Sequence, residues 1–167
     1  GQVDCTAGPV AWLKSYSLMD VAKVVTDLPI GTYHGNLVLG ISVEAWNRLT
    51  PRAHTAIRKN LASLVADGAF GYEHEGDEAR TEGKAKGVRF VQPAPDLQAA
   101  YKTYLKTEVE RVITTGEKAG LKNSRAQVED YLKTVAKWEK IVAETKRDKK
   151  AYTEALEREI FSKLNLN

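Results

Sequence analysis

The side chains with catalytic or metal-binding potential are few and scattered in this sequence. The three histidines, His34, His54 and His74, do not fall at a metal-ligand spacing with one another or with the single cysteine, Cys5. A structural zinc site needs clustered Cys or His ligands, and a thiol nucleophile needs a neighbouring base. No glycine-rich phosphate-binding motif occurs either. We therefore expect no metal site, no cofactor and no enzyme activity.

A loop rich in polar and aromatic side chains has the composition of a ligand-binding segment. Tyr33, His34 and Asn36 lie beside Gly31 and Gly35. Glycines tolerate the backbone changes of a hinge, and domain closure brings nearby side chains onto a ligand. The Asn36 amide offers both a donor and an acceptor to a hydroxy acid. We predict that Tyr33, His34 and Asn36 contact a ligand; an ordinary polar loop remains the alternative, above all for His34.

Composition and charge narrow the class of protein. The 167 residues are 43% hydrophobic and 28% charged, which fits a globular chain with an apolar core. The 25 basic and 22 acidic residues are interleaved and leave a net charge of only +3. A nucleic-acid-binding protein concentrates its positive charge on one face or tail. We therefore expect no nucleic-acid partner.

Three short segments have the pattern of β-strands. They are Val21–Thr26, Asn36–Ser42 and Val88–Val91, each rich in apolar or β-branched residues and with a glycine or proline within three residues of one end. Long connections separate them, and such strands rarely form a sheet without further strands. We predict that the sheet is completed by strands from outside this chain.

Helices are predicted over most of the remaining sequence. A short one follows Gly8-Pro9, and a long one starts at Thr50-Pro51, where a hydroxyl caps a helix with proline in its first position. The long helix should continue to Gly87. Everything after Pro95 has helical periodicity, and Ser124 is expected to cap one of these helices.

The order of these elements resembles the second half of the periplasmic solute-binding proteins of TRAP-type transporters, in their dicarboxylate-type branch. The motifs that carry the resemblance are Gly1-Gln2-Val3-Asp4 followed by Gly8-Pro9, Trp46–Pro51, and Gly87–Val91. The resemblance implies a periplasmic-binding-protein-like (class II) two-lobe α/β fold, here only the helix-rich second half with a few strands. It divides the chain into part of one lobe with a cleft loop (1–36), a hinge strand with the long lobe-spanning helix and a return strand (37–92), and carboxy-terminal helices (93–167).

The resemblance also implies a function. Such proteins capture a small organic acid in the periplasm and deliver it to the membrane permease of the transporter. Their first half supplies an arginine that pairs with a carboxylate of the ligand, so the missing amino-terminal half is an expected partner and this chain is expected to form half of a site. The alternative is a helical adaptor protein without a small-molecule ligand.

Three further candidate ligand-binding residues are Thr6 and Gly8, which lie where the resemblance implies a cleft loop, and Trp12, an aromatic residue of the kind that lines ligand pockets. Thr6 is expected to donate its hydroxyl to a ligand oxygen, Gly8 to present backbone, and Trp12 to stack over the ligand. A loop that only caps the next helix, and a Trp12 that belongs to the core, remain the alternatives. Ala7 and Gly8 stand where several family members have Asn or Glu, so the ligand of those members should not be assumed here.

Overall fold

The computed structural model describes residues 2–31 and 39–164. Within these ranges the protein is predominantly helical and contains two short parallel strands, which agrees with the predicted helix-rich α/β composition. In chain order the elements are α1 (Trp12–Ser15), β1 (Val24–Thr26), α2 (Val43–Asn47), α3 (Pro51–Ala85), β2 (Arg89–Val91), α4 (Pro95–Lys118), α5 (Ser124–Thr145) and α6 (Lys149–Glu159), with 3-10 turns at Leu18–Asp20 and Phe161–Lys163.

The chain forms two compact units. The first contains residues 1–91 and 148–167, and therefore both strands, α1 to α3 and α6. The second contains residues 92–147, which form α4 and α5.

The long helix α3 organises the first unit and confirms its predicted limits. Its start is capped by Thr50, whose Oγ1 accepts a hydrogen bond of 3.2 Å from the Ala53 amide, with Pro51 in the first turn. It ends just before Gly87, whose φ of +83° is readily adopted only by glycine. Between these signals α3 runs unbroken for 35 residues.

Two sets of residues pack against α3. Near its carboxyl end, Leu13, Met19, Ala79 and Val88 form a buried cluster around which several partly buried apolar side chains gather. Nearer its amino end, α6 lies along α3. The buried residues of α6 and of the amino-terminal half of α3 are mostly alanines, which permit close approach of the helix axes: Ala62, Ala66, Ala155 and Leu156.

The sheet is a parallel pair with one covered face. Val24, Val25 and Thr26 lie opposite Arg89, Phe90 and Val91 in register. Val25 and Phe90 pack on the buried cluster, because paired residues in a sheet point to the same face. The opposite face, which carries Val24, Thr26 and Arg89, is exposed.

Two strand predictions need correction. Asn36–Ser42 was predicted as a strand, but its described part, residues 39–42, is irregular and leads into α2, whose N-cap is Ser42. The Ser42 Oγ accepts a hydrogen bond from the Ala45 amide, and a hydroxyl with that local partner favours a helix start over a ladder. The strand predicted at Val21–Thr26 exists only over Val24–Thr26, because the preceding residues complete a 3-10 turn.

The second unit is a helical hairpin, and its turn differs from the prediction. Asn123, with φ +65°, occupies the N-cap of α5, whereas Ser124 was expected there. Ser124 is buried and its Oγ donates a 2.9 Å hydrogen bond to the Ile113 carbonyl of α4. The hydroxyl also lies against Gly116, where any side chain would collide with it. Ser124 therefore joins the two helices instead of capping one.

Candidate functional site

An open groove of about 460 Å³ lies at the carboxyl end of β1 in the first unit. Ligands of parallel α/β sheets bind at the carboxyl ends of the strands, because the loops that follow the strands meet there. The groove has one wall from the loop before α1, a second from the end of β1 and the loop after it, and one side chain from α3: Ala7–Val10, Val25–Gly31 and Arg80.

The first wall is shaped by the contact between Gly8 and Trp12. The Pro9 carbonyl accepts a 3.0 Å hydrogen bond from the Trp12 amide, which starts the turn into α1. The Trp12 ring then lies directly on Gly8, so that a Cβ added at Gly8 would overlap atom Cε3 of the ring. Glycine is required at this position because the aromatic ring occupies the space of a side chain.

The second wall begins where the chain leaves the sheet. The Asp27 amide donates a 2.8 Å hydrogen bond to the Val91 carbonyl, which is the last rung between the strands. The Leu28 amide then bonds back to the Thr26 carbonyl at 3.0 Å, and this tight turn directs Pro29, Ile30 and Gly31 along the groove.

A bidentate ion pair lies in the groove. Arg80 donates from Nη1 and Nη2 to Oδ2 and Oδ1 of Asp27, at 3.0 and 2.8 Å. Both side chains are about one-third exposed (34% and 33%). The hydrogen bonds from Arg80 lower the pKa of the Asp27 carboxyl. The Arg80 guanidinium also lies 5.4 Å from the centre of the Phe90 ring, a favourable cation–π arrangement.

The lining has the chemistry of a binding surface. Among the described lining residues, Asp27 and Arg80 are the charged side chains and their charges cancel, while Thr26 adds a hydroxyl to a surface of backbone and apolar groups. These lining residues include no nucleophile paired with a base, the arrangement that covalent catalysis requires. The groove therefore presents an internally neutralised ion pair, one hydroxyl, and backbone and apolar groups.

The predicted site residues have different positions. Gly8 lines the groove, and Thr6 is exposed in the same loop two residues earlier. Trp12 is half-buried against Gly8 and makes an edge-to-face contact with Tyr16 at 5.2 Å, so its ring supports the wall from behind. Tyr33, His34 and Asn36 lie outside the described residues. Contact of these six residues with a ligand stays a prediction.

The sequence interpretation missed Asp27 and Arg80. Asp27 directly follows the predicted strand Val21–Thr26, and Arg80 lies within the predicted long helix. The two residues are 53 positions apart, and no local pattern connects them. The available signal was positional: a carboxylate placed directly after a strand of a parallel sheet lies where a cleft opens.

A second cluster of aromatic and basic side chains joins α2 to α3. The rings of Trp46 and His54 stack with centroids 4.3 Å apart, and the His54 Nε2 lies 2.9 Å from the Trp46 carbonyl oxygen. Arg58 lies 6.0 Å from the centre of the same indole ring.

Within residues 2–31 and 39–164, no three His, Cys, Asp or Glu residues come together as metal ligands. Over the same ranges, no helix combines the length and hydrophobicity of a membrane span.

Comparison with known proteins identifies no relative. A scan against protein-family models, a search of curated proteins and a search of solved structures each returned no significant match to this chain.

Proposed function

We propose that this chain is the ligand-binding part of a periplasmic solute-binding protein with a class II two-lobe fold. It would capture a small organic acid and deliver it to the membrane permease of a TRAP-type transporter. The observation that carries the proposal is the groove at the carboxyl end of β1, lined by the Gly8 loop that the family resemblance assigns to the ligand cleft.

The charges of the groove favour a site that is shared with another segment. A bound carboxylate needs a cationic partner, and the one cation among the described lining residues, Arg80, is already engaged with Asp27. An arginine from outside this chain would supply the missing positive charge, with a fork of donors that matches a carboxylate. This supports a site made of two portions.

The sheet also supports a partner segment. The register and the bonds between the strands direct the backbone N–H and C=O of Val24 and Phe90 to the two outer edges of the sheet. Among the described residues no third strand covers either edge, and the side chain of Val24 is 45% exposed. Parallel sheets are normally covered on both faces. We propose that an upstream lobe of the same protein supplies the adjacent strands.

Thermal unfolding in the presence of organic acids tests this function. A panel of C4-dicarboxylates and hydroxy acids would be added to this chain alone and to the full-length product of its gene. We expect a saturable rise in melting temperature for at least one acid with the full-length protein, and a small rise with the chain alone, because ligands stabilise only the state that binds them.

A groove variant and a matched control make the test specific. Ala7→Leu places a larger side chain in the groove and should remove the shift. Ala56→Leu makes the same change at an exposed position of α3 and should leave it. Absence of any shift with the full-length protein, or an unchanged shift in Ala7→Leu, would contradict the proposed function.

A helical adaptor without a small ligand remains the second candidate. It is favoured by large apolar side chains that are exposed on the hairpin of α4 and α5: Tyr104, Leu105, Tyr131, Leu132 and Val142. Exposed apolar surface of this kind often marks a protein-interaction face. Under this alternative, no acid of the panel changes the melting temperature of either form of the protein.

A further inference from the structure

We propose that Asp27 and Arg80 are a positioning pair that sets the width of the groove. The pair lies at the point where β1 ends and the second wall begins. The Asp27 amide makes the last hydrogen bond to β2, and the next residues turn away from the sheet. The Asp27 side chain is therefore held by Arg80 at the residue from which residues 28–31 leave the sheet.

Both walls of the groove are anchored to the same two turns of α3. On the first wall side, Lys14 of α1 bonds to Glu78 at 2.7 Å and to Glu82 at 3.0 Å. On the second wall side, Asp27 bonds to Arg80. Glu78, Arg80 and Glu82 lie within five positions of one continuous helix. Both walls are therefore held to the same rigid element, and its contacts restrain the distance between them.

The two anchors differ in how firmly they fix geometry. Lys14 offers a compact point charge on a flexible stem to two exposed carboxylates, and such contacts contribute little and tolerate movement. The Arg80 guanidinium is planar, engages both oxygens of Asp27 and lies on the Phe90 ring. A bidentate pair fixes orientation as well as distance. The Asp27–Arg80 pair is therefore the anchor that restrains the second wall.

This assignment gives Arg80 a role different from that of a ligand receptor. Each of its two Nη groups donates a hydrogen bond to Asp27, so the positive charge of Arg80 is already offset by an internal carboxylate. The statement that Arg80 does not receive the ligand rests on the proposed function. The effect of the pair on the width of the groove does not depend on that function.

Distance measurement between two spin labels tests the proposal directly. Cys5 is the single cysteine of the chain and is exposed in the loop of the first wall. Ile30, 58% exposed on the second wall, would be replaced by cysteine to carry the second label. The dipolar spectrum of the doubly labelled protein then reports the separation of the walls.

We expect one narrow distribution in the parent protein. Asp27→Asn and Arg80→Gln should each broaden it and shift it to longer distance, and the double variant should change it no further, because both substitutions remove the same contact. Lys86→Gln removes the exposed contact between Lys86, at the carboxyl end of α3, and Asp20 of the first 3-10 turn, and it should leave the distribution unchanged.

Thermal stability of the same samples separates positioning from general support of the fold. The distances would be recorded well below the melting temperature of every variant. Lower melting temperatures with unchanged distances would overturn the proposal, because the pair would then stabilise the fold without setting the wall. A further change in the double variant would also overturn it.

Discussion

Gly8 and Trp12 show how a single absent side chain shapes the first wall of the groove. The indole ring lies where a Cβ on residue 8 would be, and Gly8 also lines the groove. The resemblance to solute-binding proteins predicted both residues as ligand contacts. The structure gives them an additional mutual contact that spacing alone does not predict, because the four-residue interval fixes no ring orientation.

Substitution of Gly8 by alanine should therefore destabilise the protein. Forcing a methyl group into the space of the Trp12 ring costs about 1–3 kcal/mol in a packed site. Urea unfolding followed by circular dichroism measures the change. Gly68→Ala is the matched control, since a Cβ at Gly68 meets open space on α3 and replacing a helical glycine should stabilise by about 0.5–1 kcal/mol.

Equal stability of Gly8→Ala and the parent protein would show that the packing of the Trp12 ring does not require glycine at position 8. A rise in stability of both variants would lead to the same conclusion.

The Asp27 carboxyl should make stability depend on pH in a defined direction. Arg80 lowers its pKa below the ordinary value of 3.8 in the folded protein. A group with a depressed folded pKa stabilises the protein above its unfolded pKa, and this contribution is lost as the pH falls through the folded value. The stability difference between the parent protein and Asp27→Asn should therefore be larger at pH 7 than at pH 2.5.

Urea unfolding at the two pH values measures that difference. Asp20→Asn is the control, because Asp20 makes one exposed contact, with Lys86, and such contacts contribute little. If the stability difference between the parent protein and Asp27→Asn is the same at both pH values, the Asp27 carboxyl does not make stability depend on pH.

At the scale of elements, local signals and tertiary contacts decide different features. The start of α3 at Thr50-Pro51 and its end before Gly87 are predictable because the cap, the proline and the glycine act within a few residues. The prediction of a strand at 36–42 is wrong over residues 39–42, which are irregular. Apolar residues favour a strand only where a neighbouring strand can pair with it. Ser124 was assigned to a cap from its position, and its buried contact with α4 overrides that preference.

Ser124→Ala should destabilise the hairpin of α4 and α5. The substitution removes the hydrogen bond from the Ser124 hydroxyl to the Ile113 carbonyl, and a typical hydrogen bond within a protein contributes about 0.5–1.5 kcal/mol to stability. Loss of helical circular dichroism with urea measures the effect. Ser162→Ala removes a hydroxyl from an exposed serine that bonds within its own segment at 3.3 Å, and it should change stability little. Equal effects of the two variants would contradict the role assigned to Ser124.

At the scale of the whole molecule, the core formed by the described residues is small, as the proposed completion by another segment would require. Ten hydrophobic residues are buried among those described, and five of them are alanines. Alanine contributes little apolar area, since hydrophobic stabilisation grows with the area removed from water. Within residues 2–31 and 39–164, the sheet also has one exposed face and two outer edges that no further strand covers. The composition predicted an apolar core because it counts the hydrophobic residues. It does not show which of them are buried against one another in the folded protein.

The groove was predictable only in part at this scale. The resemblance indicated the loop of Thr6 and Gly8, and the general rule for parallel sheets indicates the carboxyl end of β1. The position of Arg80 opposite Asp27 depends on how α3 crosses the sheet, which local sequence does not encode. The candidate site thus combines one predictable wall with one side chain set by tertiary packing.

Backbone amide spectra recorded during titration with succinate and malate test the central claim most directly, since they detect weak binding and locate it. We predict saturable shifts concentrated at the amides of Ala7, Gly8, Thr26, Asp27 and Gly31, which line the groove. Spectra that stay unchanged at high acid concentration, or shifts confined to α4 and α5, would contradict the claim that this groove binds a small organic acid.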